Sequence, residues 1–203
     1  MNNPNTIVPQ SPSKIAPSKS EKSLSALVDA RAAAAAAEKR QVIILADTSG
    51  SMDSHDAGGG MRRVDALQTV LNTLRVKHPR IRLFSFSSTL TPCEVGMLPP
   101  PSGGTNLGGA LREVAVHLNQ HSILILISDG EPDSEQDALQ AARGIPCRLE
   151  IFYVGPEGGP GSAFLSKLAA LRGGGFSSTP LSQSKRLESK VEKVLSLPPG
   201  GRR

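Results

Sequence analysis

Apolar residues are laid along this chain in two alternating patterns. The run VIILAD, Val42 to Asp47, is continuous and β-branched, which predicts a strand buried on both faces. After a Gly-rich loop, Val64, Leu67, Leu71 and Leu74 recur at helical spacing, and the His78-Pro79 step predicts the stop. IRLFSFSS, from Ile81, predicts a second strand with Phe84 and Phe86 on one face as core. Beyond Pro99 to Pro101, the residues Leu107, Leu111, Val114 and Leu118 form the next helical stripe, and SILILISD, Ser122 to Asp129, is a second wholly apolar strand. Asp133 or Ser134 can cap a helix running to about Ala142. CRLEIFYVG predicts another strand, Ser162 to Arg172 another helix, and Leu187, Val191, Val194 and Leu195 a last amphipathic one. Strand and helix alternate without an internal repeat, so the expected fold class is α/β: a doubly wound, mostly parallel central sheet flanked by helices, with right-handed crossovers.

The ends are different in kind. Residues 1–22 mix Pro, Ser, Asn and Lys with few apolar residues and read as a disordered arm. Residues 23–40 are rich in Ala, the best helix former, and predict a helix leading into a domain at 41–182; residues 183–203 read as a C-terminal amphipathic helix and basic tail. The net charge of +5 belongs to these ends. Residues 1–40 carry +3 and 183–203 carry +4, whereas 41–182 carries −2. With aromatics at 3% and no Trp, neither a basic groove nor a base-stacking platform is supported, which disfavours nucleic acid as a partner. Cys93 and Cys147 stand far apart outside any C-x-x-C pair and read as buried thiols of a reducing compartment. No stretch has the length and hydropathy of a signal peptide or membrane span, so the expected location is cytoplasmic, with no membrane partner.

In a doubly wound sheet, sites form in the loops that leave the carboxyl ends of the strands. The first central strand ends in Asp47-Thr48-Ser49-Gly50-Ser51, a D-x-S-x-S pattern; the second apolar strand ends in Ser128-Asp129-Gly130; between them Gly103-Gly104-Thr105-Asn106 opens a helix. Oxygen-only groups of this kind suit a hard divalent cation, Mg²⁺ or Mn²⁺. D-x-S-x-S by itself arises by chance in roughly one such sequence in ten; its place after a buried strand, with Thr105 and Asp129 in order, carries the weight. The alternative is ordinary turn chemistry: Ser49 and Ser51 as turn residues, Thr105 or Asn106 as an N-cap, Asp129-Gly130 as a turn.

The segments VIILADTSGSM, GGTNLGGAL and ILISDGEPD resemble the three loops of the von Willebrand factor type A domain, over about residues 41–182. The resemblance implies that family's Rossmann-like fold and its metal-ion-dependent adhesion site. It implies Ser49 and Ser51 as direct ligands and Thr105 as a direct or water-bridged one, with Asp47 and Asp129 acting through water and hydrogen bonds. It further implies a binding module and not an enzyme, in which a partner protein's Asp or Glu completes the shell of a Mg²⁺ or Mn²⁺ ion. The chain looks most like small free-standing bacterial members, which implies partners such as an AAA+ ATPase or a kinase and phosphatase system.

Other signals are weaker. His117 and His121 have H-x-x-x-H spacing but read as solvated residues, and His55 as a loop residue. The acidic run Glu131, Asp133, Glu135 and Asp137 reads as a solvated helix start. No G-x-S-x-G elbow or G-x-x-x-x-G-K-[ST] loop is present. Two rivals to the binding module remain at this point: a metal-dependent phosphoryl-transfer or hydrolytic enzyme, and nucleic-acid binding through the basic tails.

Overall fold

The structure, a computed structural model, describes residues 40–93 and 96–196. The arm expected at 1–22 and nearly all of the helix expected at 23–40 lie outside the described residues. Six strands form one sheet: β1 (Val42–Asp47), β2 (Arg82–Phe86), β3 (Leu90–Pro92), β4 (Ile123–Ser128), β5 (Arg148–Tyr153) and β6 (Phe176–Ser178), in spatial order β3-β2-β1-β4-β5-β6. All neighbours run parallel except β2 and β3. Among the described residues five α-helices flank the sheet, four of them between strands and the last after β6: α1 (Arg63–Lys77), α2 (Leu107–Ala115), α3 (Glu135–Arg143), α4 (Pro160–Ala170) and α5 (Ser184–Leu195).

The alternation of side chains along the strands builds two cores. Ile43 and Leu45 of β1, Leu124 and Leu126 of β4, and Leu149 and Ile151 of β5 pack against α2, α3 and α4 on one face. Ile44, Ile123, Ile125, Ile127 and Phe152 pack against α1 and α5 on the other. Both faces are covered, so β4 is buried at every position, as its unbroken apolar run requires. Each fully buried Leu or Ile contributes about 1.5–3 kcal/mol relative to exposure. Leu187, Val191 and Val194 of α5 are buried in the second core beside α1, so the packed unit runs through Leu195.

Phe84 and Phe86 are core residues, as the strand pattern implies. Ser134, and not Asp133, caps α3 by accepting from the Asp137 amide at 3.2 Å. Helix α2 stops at Ala115, short of Leu118, so His117 and His121 do not share a helical face. His117 is also not simply solvated: it is half-buried and stacks on Phe84, with ring centroids 5.2 Å apart. The edge strands β3 and β6, three residues each, have no counterpart in the hydrophobic pattern.

Helix α1 leaves β1 on one face of the sheet, whereas α2 returns to β4 along the other. Adjacent loops therefore diverge at the carboxyl ends of β1 and β4, which opens a crevice at that point.

Candidate metal centre

Asp47 is the last residue of β1 and is completely buried. Its Oδ1 accepts from the Ser49 amide at 2.8 Å, and its Oδ2 accepts from the Ser128 hydroxyl at 2.6 Å. The first bond tightens the turn after the strand and brings the Ser49 and Ser51 Oγ atoms to 3.1 Å from each other. The Ser128 hydroxyl in turn accepts from the Gly130 amide at 2.9 Å, which fixes the loop carrying Asp129.

Thr105 belongs to the loop before α2. The Gly50 amide donates to the Gly103 carbonyl at 3.1 Å, tying that loop to the D-x-S-x-S turn. Asp133 ties it to the β4 loop: its Oδ1 accepts from the Thr105 amide at 2.8 Å, and its own amide donates to the Thr105 carbonyl at 3.0 Å. Asn106 caps α2 by accepting from the Gly109 amide, leaving Thr105 buried one residue ahead of the cap. Close backbone contact supports the third loop. A Cβ on Gly161, at the start of α4, would stand 2.5 Å from the Asp129 carbonyl oxygen, so only Gly fits there.

Asp129 is buried, and its two oxygens have different surroundings. Oδ2 accepts from Arg63 Nη1 at 2.9 Å, while Oδ1 is buried without a hydrogen-bond partner. Arg63 is itself buried and reaches outward to Asp56, donating from Nε at 2.7 Å and from Nη2 at 2.5 Å. These bonds hold the Asp56 carboxyl below the ordinary carboxylate range. Burial, reinforced by the charge of Asp129, pushes Asp47 up to about 6 despite its hydrogen bonds from Ser128 and Ser49.

All five residues singled out in the sequence therefore lie at one end of the sheet, Asp47 closing β1 and the other four in three loops stitched together there. Four further participants were not singled out for the site: Ser128, Asp133, Asp56 and Arg63. The last had a visible signal, since a basic pair, Arg62-Arg63, at the start of a helix opposes the macrodipole and requires anionic partners. His55 is exposed, in agreement with a loop residue.

No protein-family model matches the chain, and no curated protein matches it in sequence. Solved structures do match it in shape. A von Willebrand factor type A protein from Catenulispora acidiphila superposes with a TM-score of 0.61 at 14% identity, over 77% of this chain and 42% of that one. This chain has the von Willebrand factor type A fold. An aerotolerance-related membrane protein from Bacteroides fragilis gives a TM-score of 0.59 at 14% identity, over 76% of this chain and 98% of that one. The manganese-loaded TRAP protein of Plasmodium vivax gives 0.54 at 20% identity, over 72% and 70%. Among the described residues of this von Willebrand A fold, no helix is long and apolar enough to cross a membrane.

The donor set can be tested against a divalent cation. Among the described residues, no trio of His, Cys, Asp or Glu is grouped to hold a metal, so hydroxyls would have to contribute. Two hydroxyl oxygens already 3.1 Å apart, and a buried carboxylate oxygen with no partner, meet that requirement for a hard, oxygen-seeking ion. Asp47 has both oxygens engaged by hydrogen bonds, which suits a supporting role and not direct ligation.

Proposed function

We propose that this chain is a metal-dependent protein-binding module that recruits a partner through a Mg²⁺ or Mn²⁺ ion whose shell is completed by a partner Asp or Glu. Asp129 Oδ1, buried and unpartnered at the junction of the three loops, is the observation that supports it most. Ser49, Ser51 and Thr105 would hold the ion, Asp129 would supply charge, and Asp47 would orient the serines through the turn it closes. Hydroxyl ligands are neutral, so the ion would keep much of its charge toward solvent and attract a carboxylate. Without the ion, Asp47 and Asp129 outweigh the single charge of Arg63, and the residual negative charge would repel one. The manganese in the TRAP neighbour accords with such chemistry on this fold. Two free, buried cysteines accord with a cytoplasmic setting.

The test is Mn²⁺ binding to the full chain, followed by water-proton relaxation as acetate is added. Wild-type protein should bind Mn²⁺, Mg²⁺ should compete, and acetate should displace water from the bound ion. Ser49→Ala with Ser51→Ala should abolish the effect. Mn²⁺ binding unchanged by the double substitution would overturn the assignment.

A further inference from the structure

Arg63 brings a buried positive charge into the loop cluster. It opens the 15-residue helix α1, where the helix dipole disfavours a cation, so its position needs compensation from nearby anions. Two carboxylates provide it from opposite sides. Asp129 lies inward with a side chain 3% exposed, and Asp56 lies outward with a side chain 49% exposed. The guanidinium is planar and forked, so Nη1 serves Asp129 while Nε and Nη2 grip both oxygens of Asp56. The inner bond takes only Oδ2 of Asp129, and Oδ1 is left for another positive group.

We propose that Arg63 is a built-in counter-cation of this site. It holds Asp129 in place before an ion enters, and it limits divalent affinity by competing for the same carboxylate. The inference rests on the metal-binding function proposed above and adds the residue that sets its strength. The physical reason is charge. Asp47, Asp129 and Arg63 together carry about −1 when all three are ionised, against −2 without the arginine, and a divalent ion near the guanidinium meets direct repulsion in a poorly screened setting. Asp56 tunes the competitor, because it draws part of the guanidinium charge away from Asp129.

The experiment compares Mn²⁺ affinity, read by the electron paramagnetic resonance of free Mn²⁺, in the full-length wild type, Arg63→Gln and Asp56→Asn, with circular dichroism to verify folding. Arg63→Gln should bind Mn²⁺ roughly tenfold tighter or more. Its ion-free form should melt lower than wild type and regain stability when Mn²⁺ is added. Asp56→Asn, at a half-exposed position, should fold normally and bind severalfold more weakly. Wild-type binding with equal or weaker affinity in folded Arg63→Gln would overturn the role of Arg63 and leave the metal site standing. If Arg63→Gln does not fold, Asp56→Asn decides: affinity equal to or tighter than wild type overturns the inference. No Mn²⁺ binding by any of the three proteins would overturn both the counter-cation and the metal site.

Discussion

Asp47→Asn separates the structural and functional consequences of one buried charge. The amide preserves the shape of the turn. Its oxygen can accept from the Ser49 amide, and its NH₂ can donate to Ser128 Oγ, which reorients its own proton. What is lost is a negative charge that burial and Asp129 disfavour, pushing Asp47 from an ordinary 3.8 to about 6. That displacement corresponds to ~3 kcal/mol of cost to the ion-free fold when Asp47 is ionised. An amide buried in place of a neutral acid recovers part of it, on the order of 1–2 kcal/mol, or about 2–8 °C in melting temperature for a domain of this size. Because the folded pKa lies above the unfolded one, the cost is full above about pH 6, shrinks as pH falls from 6 towards 4, and vanishes below that. The assay is thermal unfolding of wild type and variant in chelator at pH 4.5, 6 and 7.5, repeated with Mn²⁺ at pH 7.5. The variant should be the more stable protein at pH 7.5 and equal to wild type near pH 4.5. It should gain far less than wild type from Mn²⁺. A variant less stable than wild type at pH 7.5, yet equally stabilised by Mn²⁺, would refute the reasoning on both counts.

Other perturbations address the supports of the site. Asp133→Ala removes the acceptor of the Thr105 amide and should cost about 1 kcal/mol in urea unfolding while weakening Mn²⁺ binding, although no metal-ligand role is assigned to Asp133. Gly161→Ala forces a methyl against the Asp129 backbone and should cost roughly 1–3 kcal/mol, with Mn²⁺ affinity falling as the third loop shifts; unchanged stability would contradict the close approach. Leu126→Ala, fully buried at the centre of the sheet, should cost about 2–5 kcal/mol by denaturant titration. Ending the chain at Gln183 strips Leu187, Val191 and Val194 from the core; the truncated protein should lose cooperative unfolding, and a normal transition would show α5 to be an accessory.

The parts of the fold that bury apolar surface were legible because burial imposes periodicity. VIILAD and SILILISD announce central strands, and the 64-67-71-74 stripe announces α1, within a residue or two of their observed limits. Strands β3 and β6 were not legible: each is short and exposed on its outer edge, β3 contains Pro92, and pairing with one neighbour imposes no apolar run. At the site, D-x-S-x-S was visible because one tight turn places its members together. Arg63 and Asp129 are 66 residues apart and Thr105 and Asp133 are 28 apart, so those bonds exist only once the sheet order is known. Asp133 was legible as a candidate helix cap and as part of a solvated acidic helix start, not as a support of the site. Its carboxylate bonds the Thr105 amide while the adjacent Ser134 does the capping.

The metal centre is tested most directly by a crystal of the full chain grown with Mn²⁺ and measured at a wavelength where manganese scatters anomalously. The expected result is one strong anomalous peak in contact with the Ser49 and Ser51 hydroxyls, near Thr105 and Asp129, that disappears from crystals of the Ser49→Ala, Ser51→Ala protein. Manganese bound elsewhere, or no peak at the three loops when the ion is present in excess, would contradict it.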